Sequence, residues 1–152
     1  MKEKTELPVS RSEFIALMAM MFATIAFSID AMLPLLPEIS ADLGLAEPGR
    51  APLILIVFVA GLGVGTFITG PISDALGRRR TLLAGACIYA IGAAMSLVAQ
   101  EFELMLIARF IQGFGAAGPR IVSIAVIRDL FVGRDMARVM SFVILVFLVF
   151  PA

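Results

Sequence analysis

Apolar residues occur along this chain in long unbroken stretches, without the regular polar interruptions that half-buried helices and strands of soluble proteins show. Five stretches stand out, at residues 14–36, 51–72, 81–99, 104–127 and 139–152. The first four have the roughly 20 apolar residues that a helix needs to cross a lipid bilayer. The fifth stops at Ala152 without a polar end, and we expect it to continue in a longer chain. The pattern predicts an all-α membrane protein with four spanning helices and the start of a fifth.

The composition agrees with a chain surrounded by lipid. Of the 152 residues, 61% are hydrophobic and 16% are charged, against roughly 45–50% and about 25% in soluble domains. The formal net charge is zero, which gives no electrostatic reason to expect a nucleic-acid partner. The chain has no histidine and one cysteine, Cys87, so a Cys/His metal cluster and an internal disulfide are excluded from this stretch. No metal or cofactor is expected.

The basic residues indicate the orientation in the membrane. They cluster before the first stretch, between the second and third, and between the fourth and fifth, as Lys2, Lys4, Arg11, Arg78, Arg79, Arg80, Arg128, Arg134 and Arg138. The alternate connections contain Arg50 as their one basic residue. Because cytoplasmic loops accumulate Lys and Arg, we expect a cytoplasmic N-terminus. The alternative of a cleaved signal peptide over Met1 to Ala31 requires an apolar core about twice the usual 7–15 residues.

Three ionisable residues, Asp30, Arg109 and Arg120, fall inside apolar stretches. Such residues are costly in a bilayer and mark candidate functional sites. At 1.5 Å per residue, Asp30 and Arg109 both lie about 9–10 Å below the outer surface, so that an ion pair between them is possible. In the alternative, Asp30 reaches the interface and Arg109 stabilises helix packing.

Small or polar residues accompany these charges on the predicted helix faces. The face of Asp30 is lined by Ala16, Ala19, Ala23 and Ala26. Arg109 shares a stripe with Gln112, Gly113, Ala116, Arg120 and Ser123. The glycines from Gly113 to Gly118 fit a dinucleotide-binding spacing, but that motif requires a strand before the helix. We therefore interpret them, and Gly61 to Gly65, as helix contact faces.

The connection from Gly70 to Arg80, GPISDALGRRR, resembles the signature motif of the major facilitator superfamily. The resemblance implies a cytoplasmic gating element in which Gly70, Asp74, Gly77, Arg78 and Arg79 take part. The basic residue that usually follows the acid is Ala75 here. We expect Arg78 to pair with Asp129, at the start of the next cytoplasmic connection.

Two further segments resemble the drug:proton antiporters of that superfamily, with the Bcr/CflA-type multidrug efflux proteins as the most similar group. They are RFIQGFGAA from Arg109 and DAMLPLLP from Asp30. The resemblance implies proton coupling by Asp30 and Arg109 and a substrate path that includes Gln112, Gly113 and Ala116. Arg120 is not part of the general motif, and we assign it to the substrate path from its place on the stripe.

These observations predict the partial N-terminal half of a twelve-helix transporter, whose remaining helices would follow Ala152. The intact protein is expected to be a proton-coupled exporter of drugs or other small amphipathic compounds in a bacterial inner membrane. Its partners would be a small-molecule substrate, protons and the lipid bilayer. A metabolite transporter of the same superfamily, a non-transporting membrane subunit and a membrane enzyme are the alternatives.

Overall fold

The computed structural model describes residues 10–149, without the side chains of residues 11, 48 and 146–148. These residues form helices and connections and contain no strand. The α-helices are α1 (Arg11–Asp30), α2 (Leu36–Asp42), α3 (Leu53–Leu76), α4 (Arg78–Val98), α5 (Phe102–Leu130) and α6 (Arg134–Val149). Four segments are long and apolar enough to cross a membrane: Ser12–Asp42, Leu53–Leu76, Arg78–Val98 and Phe102–Leu130. The predicted all-α membrane class is confirmed.

The first predicted span, residues 14–36, contains a break that the apolar pattern did not indicate. α1 begins earlier, where Ser10 accepts a hydrogen bond from the amide of Glu13 and the Glu13 carboxylate accepts one from the amide of Ser10. The helix ends at Asp30, and a short 3-10 turn, Leu33–Leu35, leads into α2. Pro34 and Pro37 cause the break, because proline has no amide hydrogen to donate to the preceding helical turn.

The other helices extend beyond their predicted apolar stretches. α3 continues to Leu76, α5 runs from Phe102 to Leu130, and α6 begins at Arg134. Polar residues at these ends remain helical because a helix needs apolar side chains only where it crosses the hydrocarbon. The apolar pattern therefore marks the hydrocarbon-crossing part and underestimates helix length. The end of the fifth stretch, residues 150–152, and Lys2 and Lys4 lie outside the described residues.

α5 packs tightly against both α3 and α4, and we call these three helices the glycine-packed unit. A Cβ atom placed on any of seven helical glycines would collide with the facing helix, and the positions are Gly61, Gly65, Gly85, Gly92, Gly113, Gly115 and Gly118. At Gly65 it would lie 2.6 Å from the carbonyl oxygen of Phe114, and at Gly85 2.8 Å from Cα of Gly118. The predicted glycine contact faces are therefore present, except that Gly63 faces open space.

α1 and α6 form a second layer, which we call the α1–α6 pair. Larger side chains fill this contact, in a buried cluster of Phe14, Met18, Ala19, Val139 and Val143 that also includes Ile127 of α5. A smaller cluster of Ile25, Phe58 and Ala116 joins α1 to the glycine-packed unit. Of the alanines predicted to share a face with Asp30, Ala19, Ala23 and Ala26 are buried and Ala16 is exposed.

A single residue, Gly77, separates α3 from α4. Its φ of 89° and ψ of 152° lie in a region that residues with a side chain rarely adopt. The glycine therefore permits an abrupt change of direction between two long helices. It also places the last turn of α3 beside Arg78, the first residue of α4.

Candidate functional site

The guanidinium of Arg109 on α5 is partly buried and contacts neutral groups. Nη1 donates to Oε1 of Gln112 at 3.0 Å, one helical turn along α5. Nη2 donates to the Sδ of Met32 at 2.9 Å, although a thioether is a weak acceptor. Nε is buried and has no hydrogen-bond partner. The positive charge is thus held by two neutral acceptors, of which one is weak.

Asp30 is exposed at the last residue of α1. Within residues 10–149, no hydrogen bond or ion pair joins its carboxylate to Arg109. Met32, which is only 4% exposed, occupies the contact with the guanidinium. The proline-induced turn after Asp30 explains this placement. The sequence pattern predicted one continuous helix over residues 14–36, whereas α1 ends at Asp30. The ion pair considered from the sequence is absent from this conformation.

The remaining stripe residues of α5 have different surroundings. Gln112, Gly113 and Ala116 are buried, and Gly113 packs against the backbone of Phe58 on α3. Gln112 also lines a cavity, described below, which Gly113 and Ala116 do not line. Arg120 is partly exposed, and no hydrogen bond or ion pair of its side chain is found in the described part of the chain. The structure therefore brings Arg109 and Gln112 together and leaves Arg120 apart from them.

A cavity of about 470 Å³ lies between α2 with the preceding turn, α4 and α5. Arg109 and Gln112 line it together with Ser96, Asp42 and apolar side chains. Ser96 and Asp42 were not predicted from the sequence, since neither falls in a motif and the position of α2 depends on the turn that precedes it. A separate groove of about 570 Å³, lined mainly by apolar residues, follows the small-residue face of α1 and includes Phe142 of α6.

The end of the unit near Gly77 contains a charged cluster centred on Arg78. Its Nη1 donates to Oδ1 of Asp74 and to the Ser73 hydroxyl, both at 2.8 Å. Its Nη2 and Nε donate to Oδ2 of Asp129 at 3.2 and 3.3 Å. The expected pair of Arg78 and Asp129 is present, and it joins the start of α4 to the end of α5. Arg79 is exposed beside this cluster, and Gly70 has open space around its Cα.

A hydrogen bond that the sequence analysis missed joins α1 to α4. The hydroxyl groups of Ser28 and Tyr89 lie 2.6 Å apart. Ser28 donates its one proton to the carbonyl of Thr24 at 2.7 Å, so the Tyr89 hydroxyl is the donor to Ser28. The available signal was the single tyrosine of the chain, because a buried tyrosine hydroxyl usually finds a partner.

Comparison with known protein families identifies the family of this chain. The family model of the Major Facilitator Superfamily matches residues 16–152, almost the whole chain. The chain belongs to this superfamily, whose members are transporters. Residues 10–149 contain no group of three or more His, Cys, Asp or Glu side chains that could hold a metal ion.

Several curated bacterial proteins are similar to the chain. An uncharacterized MFS-type transporter, YdgK of Bacillus subtilis, is 36% identical over 124 residues, which cover 82% of this chain and 31% of the relative. The multidrug resistance protein MdtL of Shewanella oneidensis is 34% identical over 76% of this chain and 29% of its own length. A bicyclomycin resistance protein homolog of Haemophilus influenzae is 34% identical over 82% and 31%. The chain thus spans about a third of these relatives. No solved structure matches it.

Proposed function

We propose that this chain forms part of a proton-coupled transporter that exports drugs or other small amphipathic compounds across a bacterial inner membrane. The family membership supports transport, and the relatives named for multidrug and bicyclomycin resistance support export of such compounds. The observation that carries the proposal is the guanidinium of Arg109, whose Nε has no partner within the described residues. Met32 is one of its acceptors, and Asp30 is thus two residues along the chain from a residue that contacts Arg109.

The proposed coupling step is an exchange of acceptors at Arg109. A charge-assisted hydrogen bond to a carboxylate is much stronger than one to a thioether. Ionised Asp30 would therefore displace Met32 from the guanidinium through a small movement of the turn after α1. Protonation of Asp30 would remove that attraction and return Arg109 to Met32. Gln112, Gly113, Ala116 and Arg120 would adjoin the path of the substrate.

The test of this step is efflux driven by an imposed pH gradient in the full-length polypeptide. Asp30→Asn keeps the shape of the side chain but cannot titrate, so we expect loss of proton-driven efflux with folding retained. Asp30→Glu should keep partial activity. If Asp30 only neutralised Arg109, the double variant Asp30→Asn, Arg109→Gln would recover transport, because it removes the uncompensated charge. Wild-type rates in the single or the double variant would refute the proton-carrier role.

The cluster around Arg78 supports a second part of the proposal, a cytoplasmic gate made by Gly70, Asp74, Gly77, Arg78, Arg79 and Asp129. Arg78 bridges α3, α4 and α5 at one end of the unit. In this proposal the bridge holds that end closed, and its opening accompanies the change of access. A bridge between partly exposed side chains is suited to this role, because it is weak enough to open during each cycle.

The proposed orientation places the N-terminus and the connection from Gly70 to Arg80 in the cytoplasm. Single cysteines introduced at Glu3 and Asp42, after Cys87→Ser, can be probed in intact cells with an impermeant thiol reagent. We expect labelling at position 42 alone, where the side chain is exposed. Labelling at position 3 would reverse the proposed topology.

A further inference from the structure

The cavity beside Arg109 has the properties of a small-molecule site. Its volume of about 470 Å³ lies within the range of about 300–1,000 Å³ that is common for ligand pockets. Leu35, Ile39 and Leu97 contribute apolar wall, and Arg109 and Gln112 contribute polar groups. A mainly apolar wall with a few convergent polar groups is the usual composition of such sites.

The polar groups on the α5 wall of the cavity mainly donate hydrogen bonds. The guanidinium of Arg109 has only donors, and its Nε has no partner in the part of the chain that the structure describes. The carbonyl oxygen of Gln112 already accepts from Arg109, so the side-chain amide of Gln112 offers its N–H groups. On α4, Ser96 donates its proton to the carbonyl of Gly92 at 2.9 Å and adds only an acceptor. A ligand that approaches α5 must therefore present acceptors.

The positive charge of Arg109 also favours a ligand that presents hydrogen-bond acceptors, in particular an anion. Arg109 has no carboxylate partner within the described residues, and its two neutral acceptors leave the positive charge uncompensated. A partly buried cation of this kind is stabilised by a planar oxyanion, which can accept two parallel hydrogen bonds from a guanidinium. The other charged residue that lines the cavity is Asp42, which is exposed at the end of α2. Its carboxylate opposes the binding of an anion.

We propose that this cavity binds the carboxylate of small amphipathic carboxylic acids, with the oxygens on Arg109 and Gln112 and the apolar body between α2 and α4. The proposal deepens the proposed function, on which it rests, by naming a substrate class for Arg109. A ligand carboxylate would take the place at the guanidinium that Asp30 takes in the coupling step. Substrate and ionised Asp30 would then compete for one cation.

Equilibrium binding without a proton gradient tests the site. The full-length polypeptide in phosphatidylcholine nanodiscs is dialysed against 2-naphthoate or against 2-naphthamide, an uncharged analogue of almost the same shape, with empty nanodiscs as background. We expect wild type to prefer naphthoate. Arg109→Gln should weaken naphthoate binding by at least about tenfold, the loss expected for a hydrogen bond to a charged group. Naphthamide binding should change little.

Two further variants sharpen the experiment. Arg128→Gln removes the same charge from an exposed position in the last turn of α5 and should leave both affinities unchanged. Asp42→Asn removes the opposing charge and should tighten naphthoate binding alone. Equal affinity of wild type for the two probes, or a folded Arg109→Gln protein with wild-type naphthoate affinity, would overturn the proposal. If Arg109→Gln does not elute as a folded species, Asp42→Asn decides, and unchanged naphthoate affinity then overturns it.

The binding and efflux experiments fail independently. If wild type binds naphthoate and naphthamide equally but shows pH-driven efflux, the carboxylate site is rejected and the proposed transporter is kept. Specific naphthoate binding that depends on Arg109, in a protein without proton-driven efflux, would keep the site and reject the coupling.

Discussion

α5 contacts α3 and α4 through closely approaching backbones, whereas α1 contacts the other helices through side chains. In the glycine-packed unit, backbones touch where a side chain is missing, as at Gly61 and Gly113. α1 reaches the unit through side chains, in the cluster of Ile25 with Phe58 and in the hydrogen bond of Ser28 to Tyr89. Backbone contacts leave no rotamers that could adapt to a displacement, while side-chain contacts can be exchanged.

This difference indicates which part of the molecule can move in the proposed transport cycle. The unit of α3, α4 and α5 should move as one body. α1 should shift against it, since the hydroxyl of Ser28 on α1 and the sulfur of Met32 in the turn that follows α1 are exchangeable acceptors. Asp30, the proposed proton carrier, lies on the element that can shift.

The largest expected effect comes from filling a backbone contact of the unit. In Gly61→Ala the new Cβ would collide with the backbone of Phe110 and Phe114, and backbone atoms cannot rotate away. We expect a loss of about 1–3 kcal/mol in the free energy of unfolding, the usual cost of overpacking. Thermal unfolding in detergent measures the change.

Gly63→Ala is the matched control on the same helix, because no atom of a neighbouring helix among the described residues lies within 4 Å of the added Cβ. Alanine is also the better helix former by about 1 kcal/mol. This variant should be as stable as wild type or more stable. Equal destabilisation by the two substitutions would contradict the backbone contact and hence the rigid character of the unit.

The glycine contacts could be predicted from the sequence because they depend on local spacing within single apolar helices. The pair of Arg78 with Asp129 was predictable because motif position and helix ends place both residues at the same membrane surface. An ion pair of Arg109 with Asp30 was considered possible for a similar reason, equal depth. It is absent from this conformation because the chain turns after Asp30 and puts Met32 against the guanidinium.

The bond from Tyr89 to Ser28 and the cavity beside Arg109 could not be predicted from the sequence. Both depend on how two helices rotate relative to each other, which no spacing within one helix determines. Asp42 lines the cavity only because the proline turn directs α2 toward α4 and α5. Sequence periodicity gives the face of a side chain and its depth but not its partner on another helix.

A smaller effect is expected from removing the hydroxyl that ties α1 to α4. Tyr89→Phe keeps the ring and removes the donor to Ser28. We expect a loss of about 1 kcal/mol, confined to α1. Hydrogen–deuterium exchange should therefore become faster in residues 11–30 and remain unchanged in residues 53–76.

Ser28→Ala removes the acceptor of the same bond, and the double variant should add little to either single change. Additive effects of the two substitutions would show that the hydroxyl groups do not interact. Faster exchange spread equally over α3 and α5 would contradict the separation of α1 from the unit.

The smallest effect on stability should come from the charged cluster at the other end of the unit. The side chains of Arg78 and Asp129 are 28% and 53% exposed, and partly exposed ion pairs contribute about 0–1 kcal/mol. Asp129→Asn should therefore change the free energy of unfolding by less than about 1 kcal/mol while reducing efflux. Unfolding and efflux measured on one preparation compare the two effects.

Arg80→Gln is the control for this variant, since Arg80 is exposed and makes no ion pair within residues 10–149. It should change neither measurement. Destabilisation by Asp129→Asn well above 1 kcal/mol would mean that the bridge is a structural link of the unit rather than a contact that opens during each cycle.

The one-residue connection at Gly77 also determines how the chain can enter the membrane. α3 and α4 are joined too closely to be inserted separately, so they should cross as one hairpin, with Arg79 and Arg80 remaining on the side from which they came. The glycines of α3 and α4 that contact α5 have no partner at that stage. We therefore expect the hairpin to be an intermediate during synthesis, whose glycine faces become packed only when α5 has been synthesised and inserted.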